Sequence, residues 1–278
     1  MKDNTTGKPM RHSRFERSRK APRINLQLRD RTILEAIARY GLLSRSQLQR
    51  LLDWHCTTRI NIRLRKLWEN RLLDRQFLPA VTGSSQAIYS LGRKASKAFP
   101  DVETKAARGS SFLFLSHILD VAEVRLAFDL AWRHWPGFEI EEWLISSTLA
   151  ETRFRECLGL IPDGFCCYRR PAEDGSGSKR WSVFLEVDRG MESLSIFARK
   201  VERYLAYAES GRHQELFRLR FFRVLCVGLS EKRLRNLRTV VQRYTDKGFR
   251  FTLLESIKPE TILGPIWLLP QGEERVPL

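Results

Sequence analysis

The sequence predicts an α+β protein of two domains. The chain has 278 residues, more than the usual length of about 100–200 residues for one domain. Three short helical patterns and two strand-like stretches fill residues 28–99, whereas strands and longer helices alternate after residue 136. A hydrophobic content of 42%, with 10% aromatic residues, excludes a wholly disordered chain.

Membrane-spanning and secretory segments are not expected. No apolar run approaches the roughly 18–20 residues that cross a bilayer, and the N-terminal residues are polar and rich in arginine. The five cysteines are irregularly spaced, with Cys166 and Cys167 adjacent, so they predict neither a disulfide framework nor a zinc site. We therefore expect a soluble cytoplasmic protein.

Basic residues are concentrated in the first third of the chain. The formal net charge is +17, and residues 1–99 hold 22 Lys and Arg against 7 Asp and Glu. Residues 100–278 hold 27 against 25. Such a field attracts polyanions and makes their binding dependent on salt. Nucleic acid is the expected partner; an anionic membrane surface is the alternative, but the sequence has no lipidation motif.

Residues 1–27 contain many basic and few large apolar side chains, which predicts a flexible arm along phosphates or in a minor groove. A solubilising tail is the alternative interpretation.

The pattern of residues 28–99 predicts three short helices and then a hairpin around a polar turn at residues 82–85. The helix boundaries are marked by Asp30, Gly41, Ser44 and then Thr57 or Thr58. This layout is that of a winged helix-turn-helix domain.

The third helix has an apolar face and a basic face. Arg59, Arg63 and Lys66 fall at i, i+4 and i+7, opposite an apolar stripe. This pattern is typical of helices that lie in the major groove of double-stranded DNA. The expected DNA-binding residues are Arg45, Thr57, Thr58, Arg59, Asn61, Arg63, Arg65 and Lys66. A solvated helix face, or a surface that docks protein, is the alternative.

A polar linker is predicted over residues 100–110, and a second domain over residues 111–278. This domain opens with a long helix that carries His117 and Glu123; we interpret His117 as an ordinary buried histidine. The strand-like stretches that follow are residues 139–145, 164–169, 181–188, 221–228 and 249–254, and the helical ones are 191–210 and 230–247. Since single helices separate several strands, some parallel pairing is expected after an initial hairpin.

One strand of this domain places two carboxylates on the same face. In the stretch WSVFLEVD alternate residues share a face, so Glu186 and Asp188 project together. A hairpin centred on Asp174 and Gly175 pairs Asp163 with Glu186. We therefore expect all three acids on one face.

Three neighbouring acids repel one another unless a cation lies between them. Asp163, Glu186 and Asp188 are therefore candidate ligands for Mg²⁺ or Mn²⁺, which would polarise a phosphodiester and activate water. Lys200 lies on a helical stripe that faces the sheet, where its ammonium can stabilise the charge of the transition state. We predict that these four residues form an active site, intact or vestigial. An ordinary turn, surface ion pairs and a half-buried lysine are the alternative explanation.

A string of motifs runs in order along residues 28–210. They are RDRTILEAIARYGLLSRSQLQRLL, TTRINIRLRKLWENRLLDR, YSLGRKA, FLSHILDVAEVRLAF, IPDG, FLEVDRG and ARKVERYLAY. Together they resemble the replication-relaxation family. The resemblance implies a bacterial DNA-binding protein of plasmids and other mobile elements, acting in replication and DNA relaxation. It also implies a second half similar to the PD-(D/E)xK nuclease fold.

The resemblance assigns roles residue by residue. Asp163 matches the first acid of the nuclease motif and Glu186 the second, whereas Asp188 stands where the motif has lysine. Lys200 would then substitute from the following helix, and Glu123 would match an acid supplied by the first helix of the domain.

Three functional hypotheses remain open. The first is a mobile-element DNA-binding protein with a metal-dependent endonuclease domain. The second is a regulator of transcription or replication initiation, whose degenerate nuclease-like domain dimerises or docks replication or transfer proteins of the element. The third is a protein–protein adaptor.

Overall fold

The computed structural model describes residues 15–18, 20–79, 85–98, 110–151, 153–172, 175 and 177–278. Contacts divide the chain into two units, residues 1–112 and 113–278. Several expected features lie outside the described residues: residues 100–109 of the linker, residues 1–14 and 19 of the arm, residues 82–84 of the turn, and Asp174 at the centre of the hairpin. The α+β class is confirmed, with a sheet in each unit. None of the described helices is long and apolar enough to cross a bilayer.

Unit 1 combines short helices with a small antiparallel sheet. Its elements are α1 (Leu28–Tyr40), β1 (Leu43–Ser44), α2 (Arg45–Leu51), α3 (Thr57–Glu69), β2 (Leu73–Phe77), β3 (Ala87–Leu91) and α4 (Arg93–Ser96). The strands pair in the order β1-β3-β2. Ile60, Leu64 and Leu67 of α3 are fully buried, which forms the apolar side of this helix.

The helix ends in unit 1 follow local capping chemistry. Gly41 ends α1 with a positive φ of 76°, which glycine adopts without steric cost. Ser44 caps α2 as predicted, because its hydroxyl accepts the backbone N–H of Gln47 at 3.2 Å. The predicted cap Asp30 is corrected: Gln27 is the N-cap, and the Asp30 carboxylate accepts the Gln27 N–H at 2.7 Å from inside the first turn.

Part of the segment expected to be a flexible arm is bound to unit 1. The Arg17 guanidinium donates to the carbonyl oxygen of Trp68 at 2.8 Å. The Ser18 N–H donates to the carboxylate of Glu69, which is buried, at 2.7 Å. For residues 15–18 the expectation of a flexible arm is corrected, because groups at the end of α3 hold this stretch.

Unit 2 is built on a seven-stranded mixed sheet in the order β10-β9-β8-β7-β6-β5-β4. The strands are β4 (Glu139–Ile145), β5 (Gly164–Pro171), β6 (Ser178–Asp188), β7 (Arg223–Gly228), β8 (Phe249–Leu253), β9 (Trp267–Leu268) and β10 (Arg275–Val276). The helices are α5 (Phe112–Ala131), α6 (Ser146–Glu151), α7 (Arg153–Leu158), α8 (Leu194–Glu209), α9 (Arg212–Phe217) and α10 (Glu231–Gln242), with a 3₁₀ turn at Leu254–Ser256.

The sheet register agrees with the hairpin predicted from the sequence. β4, β5 and β6 form an antiparallel meander, and β6, β7 and β8 run parallel. Gly164 pairs with Leu185, and Pro171 pairs with Ser178. This register brings Asp163, the residue before β5, next to Glu186 on β6.

Helices cover both faces of the sheet. Val183 and Leu185 of β6 pack with Phe128 of α5 in the core on one face. Phe184 packs with Phe197 of α8 in the core on the other face, together with side chains of α10. Because residues alternate along β6, Glu186 and Asp188 project toward α8 and α10.

Candidate functional site

A cavity of about 300 Å³ lies at the carboxyl end of β6 in unit 2. Its lining brings together all four residues of the predicted active site, which are Asp163, Glu186, Asp188 and Lys200. His117 of α5 and Glu192, just before α8, line it as well. The hairpin register supplies the acids, and α8 supplies the lysine from the face that covers the sheet.

Glu186 is the acid at the centre of this cavity and is only 4% exposed. Its Oε2 accepts from Lys200 Nζ at 2.8 Å, and its Oε1 accepts from the Tyr204 hydroxyl at 2.6 Å. Burial raises the pKa of Glu186 to about 7, although the ammonium of Lys200 acts in the opposite direction; the charge of Asp163 raises it further. A carboxyl group with this pKa can take up or release a proton near neutral pH.

Lys200 is the cation beside Glu186. Burial alone would lower the pKa of Lys200, but the charge and hydrogen bond of Glu186 outweigh it, so the pKa is raised above its ordinary value. The side chain therefore stays protonated at neutral pH. Its ammonium also lies 3.2 Å from the carboxylate of Glu192.

Asp163 is half-buried and is held by two donors. Its Oδ2 accepts the backbone N–H of Val187 at 2.7 Å, and its Oδ1 lies 2.9 Å from Nε2 of His117. Burial alone would lower the pKa of His117, but its hydrogen bond with Asp163 and the charges of Asp163, Asp120 and Glu186 outweigh it and raise this pKa. The contact with Asp163 therefore favours the protonated form of this imidazole.

Asp188 has a different partner from the other two acids. Arg233 of α10 donates to both of its carboxylate oxygens, and the Gly190 N–H adds a further hydrogen bond. The prediction of a third metal-ligating acid does not fit this geometry, because a protein cation already occupies the carboxylate. Within the described residues, no group of three or more His, Cys, Asp or Glu side chains is arranged to hold a metal ion.

Sequence reasoning missed several members of the site. Tyr204 lies one helical turn after Lys200, a spacing visible in the sequence, but its hydrogen bond to Glu186 depends on how α8 packs. The sequence favours an ordinary buried histidine at position 117, whereas in the structure His117 of α5 contacts the cavity acid Asp163. Glu123, from the same helix, is not part of the cavity lining.

On unit 1, α3 exposes most of the residues predicted to bind DNA. Ile62 lies among them and is 52% exposed. The exposed members of the predicted set are Thr57, Thr58, Arg59, Asn61 and Arg65, and the partly exposed ones are Lys66 on α3 and Arg45 on α2. Cations, an amide and hydroxyls therefore share the solvent side of α3, opposite its buried apolar stripe.

Arg63 departs from this set. Its guanidinium donates to both carboxylate oxygens of Asp30, whose side chain is fully buried, and to the carbonyl oxygen of Asn25 at 2.8 Å. The prediction that Arg63 contacts DNA is corrected, because a buried carboxylate requires a paired cation. The hydrogen bonds to Asp30 accordingly raise the pKa of Arg63.

One known protein family matches residues of both units. The replication-relaxation family model matches residues 34–218, about two thirds of the chain, including the exposed face of α3 and the cavity residues Asp163, Glu186 and Lys200. The chain therefore belongs to the replication-relaxation family. Membership suggests a role in replication or relaxation of plasmid or other mobile-element DNA. No curated protein and no solved structure matches the chain.

Proposed function

We propose that this protein binds double-stranded mobile-element DNA through unit 1 and cleaves a phosphodiester of that DNA in the cavity of unit 2. The observation that carries the proposal is the contact of Lys200 with Glu186 at 2.8 Å, in one cavity with Asp163. Two acids and a lysine around a cavity provide the groups that metal-dependent phosphodiester hydrolysis requires.

The order of elements supports a winged helix-turn-helix in residues 28–99. Helices α1, α2 and α3 precede the β2–β3 hairpin, and β1 adds to the edge of that hairpin. A helix that is apolar on the inside and carries Arg59, Asn61 and Arg65 on the outside suits the major groove, where Arg and Asn donate to base edges and phosphates. Exposed Ile62 can contact a thymine methyl group.

The order of elements in unit 2 supports a PD-(D/E)xK-like domain. Helix α5, the β4–β5–β6 meander, α8 and then parallel β7 follow one another. Asp163 precedes the second strand of the meander and Glu186 lies near the end of the third, at the positions that the family resemblance assigns to the two acids. The motif has a lysine at the position of Asp188. In this chain Lys200 of α8 would provide that cation instead.

Asp163 and Glu186 fit a magnesium or manganese ion as a pair. Both carboxylates face one cavity; burial raises the pKa of Glu186 and the charge of Asp163 raises it further, and a bound cation would lower it. Mg²⁺ commonly uses one or two carboxylates and keeps several waters, so a third acid is not required. When bound, such an ion would polarise the phosphodiester and lower the pKa of a coordinated water.

The remaining side chains have roles that follow from their contacts. The Lys200 ammonium lines the cavity and would stabilise the negative charge that develops on a phosphoryl group bound there. Tyr204 orients the Glu186 carboxylate through its hydroxyl, and His117 orients Asp163. Both are positioning residues in this scheme, because each acts through an acid.

A second candidate function is favoured by one feature of the same cavity. Each of its acids Asp163, Glu186 and Asp188 already has a protein cation or hydrogen-bond donor as its partner. A cavity whose acids are already paired suits a protein that does not cleave DNA. Such a protein would regulate transcription or replication initiation, and its unit 2 would dimerise or dock replication or transfer proteins of the element.

A cleavage assay separates the two functions. Supercoiled plasmid would be incubated with full-length protein in Mg²⁺, in Mn²⁺ or in EDTA, and compared with Asp163→Asn and Glu186→Gln. Nicking that requires the metal and is lost in both variants supports the enzyme. Asp246→Asn, which changes an exposed acid outside the cavity, serves as a control prepared in the same way. Equal DNA binding by all four proteins, with no cleavage in either metal, would assign the regulator instead.

A further inference from the structure

A second cavity of unit 2 lies at the opposite ends of the same parallel strands. It has a volume of about 590 Å³. Arg223 begins β7 and Arg250 lies near the start of β8, and both line it with Trp181 of β6. Arg220 and Lys247 contribute from the loops that precede β7 and β8. The proposed cleavage cavity lies at the carboxyl end of β6, so the two cavities are separate.

Neither Arg223 nor Arg250 has a carboxylate partner among the described residues. Nη1 of Arg223 and Nε of Arg250 are buried N–H groups that make no hydrogen bond of normal geometry, and the neighbouring Tyr168 phenol is uncharged at neutral pH because burial raises its pKa. Nη1 of Arg250 donates to the backbone carbonyl of Phe249 at 3.0 Å. The guanidinium of Arg223 lies 4.3 Å from the centre of the Trp181 ring, a cation–π contact that orients it without neutralising it.

The charge of this cavity is unbalanced. Burial lowers the pKa of Arg223, and burial together with the charge of Arg223 lowers the pKa of Arg250 to about 10. The lining includes an acid, Glu209, but its side chain is exposed on α8 rather than paired with either guanidinium. Two neighbouring cations that are partly removed from water raise the free energy of the empty protein, and an anion between them would lower it.

The donors and the neighbouring aromatic ring define the class of anion. Arginine presents paired N–H donors that match the oxygens of phosphate. Phe221, on the cavity wall, is 73% exposed, and the guanidinium of Arg220 lies 5.3 Å from its ring. An exposed ring beside cations is a stacking surface for a nucleobase. The volume lies within the range of about 300–1,000 Å³ that is usual for small-ligand sites.

We propose that this cavity binds a nucleoside phosphate, with the phosphate between Arg223 and Arg250 and the base against Phe221. The ligand is either a free nucleotide or the 5′-phosphorylated end of a DNA strand, because both present the same phosphate and base. The site is independent of the proposed cleavage cavity, and it does not require a metal ion.

Calorimetric titration of the full-length protein in EDTA tests this site with three probes: adenosine 5′-diphosphate, inorganic phosphate and 5′-phosphorylated tetrathymidylate. We expect one of the two nucleoside phosphates to bind saturably and more tightly than inorganic phosphate. Arg223→Gln and Arg250→Gln should each weaken that binding by about tenfold or more, the usual effect of losing a charge-assisted hydrogen bond. Arg235→Gln removes an exposed charge outside the cavity and should leave the binding affinity unchanged.

The outcomes separate the two sources and include failure. Binding of the diphosphate identifies a free nucleotide; binding of the tetrathymidylate, lost without its 5′-phosphate, identifies a strand end. Phe221→Ala should weaken the nucleoside phosphate but not inorganic phosphate. No saturable binding by the wild type, or wild-type affinity in both arginine variants, overturns the proposal. Thermal unfolding checks that the variants are folded, and removal of the repulsion should leave them at least as stable as the wild type.

Discussion

Arg233 of α10 donates from Nε and Nη2 to the two carboxylate oxygens of Asp188, at 2.8 and 2.7 Å. The side chains are 15% and 8% exposed, so this pair is largely removed from water. The family resemblance places Asp188 where a nuclease motif would have lysine, and in the structure this residue forms an ion pair with Arg233. The cation that contacts Glu186 comes instead from Lys200.

Arg233→Gln is therefore expected to reduce stability. The variant leaves the Asp188 carboxylate buried without its cation, and breaking a buried ion pair costs roughly 3–5 kcal/mol. Urea denaturation at neutral pH measures the free energy of unfolding. Arg235→Gln, on the solvent side of the same helix, should change it little. The double variant Asp188→Asn with Arg233→Gln should recover part of the loss, and strictly additive losses would contradict the pairing.

Metal binding is expected to depend on Glu186 and Asp163 but not on Asp188. In calorimetric titration of Mn²⁺, Glu186→Gln and Asp163→Asn should each abolish the saturable binding expected of the wild type, because each removes one of the two carboxylates proposed as metal ligands. The double variant of Asp188 and Arg233 should retain it. Loss of Mn²⁺ binding in that double variant, while it remains folded, would make Asp188 a ligand and refute this assignment.

Stability is expected to depend on pH through Glu186. The folded-state pKa of about 7 lies above the ordinary value of 4.5, so the folded protein holds a proton that the unfolded chain has released between these values. The free energy of unfolding of the wild type, relative to Glu186→Gln, should therefore fall as pH rises from 4.5 to about 7. Parallel urea denaturation series of the two proteins measure this difference. A difference that grows with rising pH would contradict the raised pKa.

Much of the cavity followed from local sequence patterns. The hairpin predicted from the sequence has the register in which β5 and β6 pair, and strand alternation predicts Glu186 on the side of α8. The period of α8 directed Lys200 toward the sheet. These features depend on residues that are near one another along the chain, so they can be predicted from local sequence patterns.

The errors arose where a distant side chain supplied the partner. Asp188 is paired by Arg233, 45 residues further along, and Arg63 is paired by Asp30, 33 residues earlier. Helical spacing gives the side of α3 on which Arg63 lies, but it does not show that α1 places a buried carboxylate there. The strands β9 and β10 contain two residues each and carry too little pattern to predict.

Arg63 is expected to stabilise unit 1. Arg63→Gln leaves the fully buried carboxylate of Asp30 without its cation and should lower the free energy of unfolding by about 3 kcal/mol or more. Thermal or urea unfolding of the full-length protein measures the effect. Asp30→Asn combined with Arg63→Gln should be less destabilising than the two single changes together. Wild-type stability in Arg63→Gln would show that the ion pair is unimportant.

Arg59 is expected to act on DNA affinity without affecting the fold. Its side chain is exposed on α3, on the solvent side of the helix, so Arg59→Gln should leave the free energy of unfolding unchanged. DNA affinity should fall by about fivefold to a hundredfold, the range for losing an arginine contact to a base or phosphate. Fluorescence anisotropy with a labelled duplex, repeated at several salt concentrations, measures the affinity and its salt dependence. Two kinds of DNA contact give different results in this measurement.

If Arg59 contacts a phosphate, Arg59→Gln lowers the affinity uniformly over different duplexes and makes the salt slope shallower by about one. If it contacts a base, the loss of affinity is confined to preferred sequences. Unchanged affinity and an unchanged salt slope would instead leave α3 as a solvated or protein-docking face.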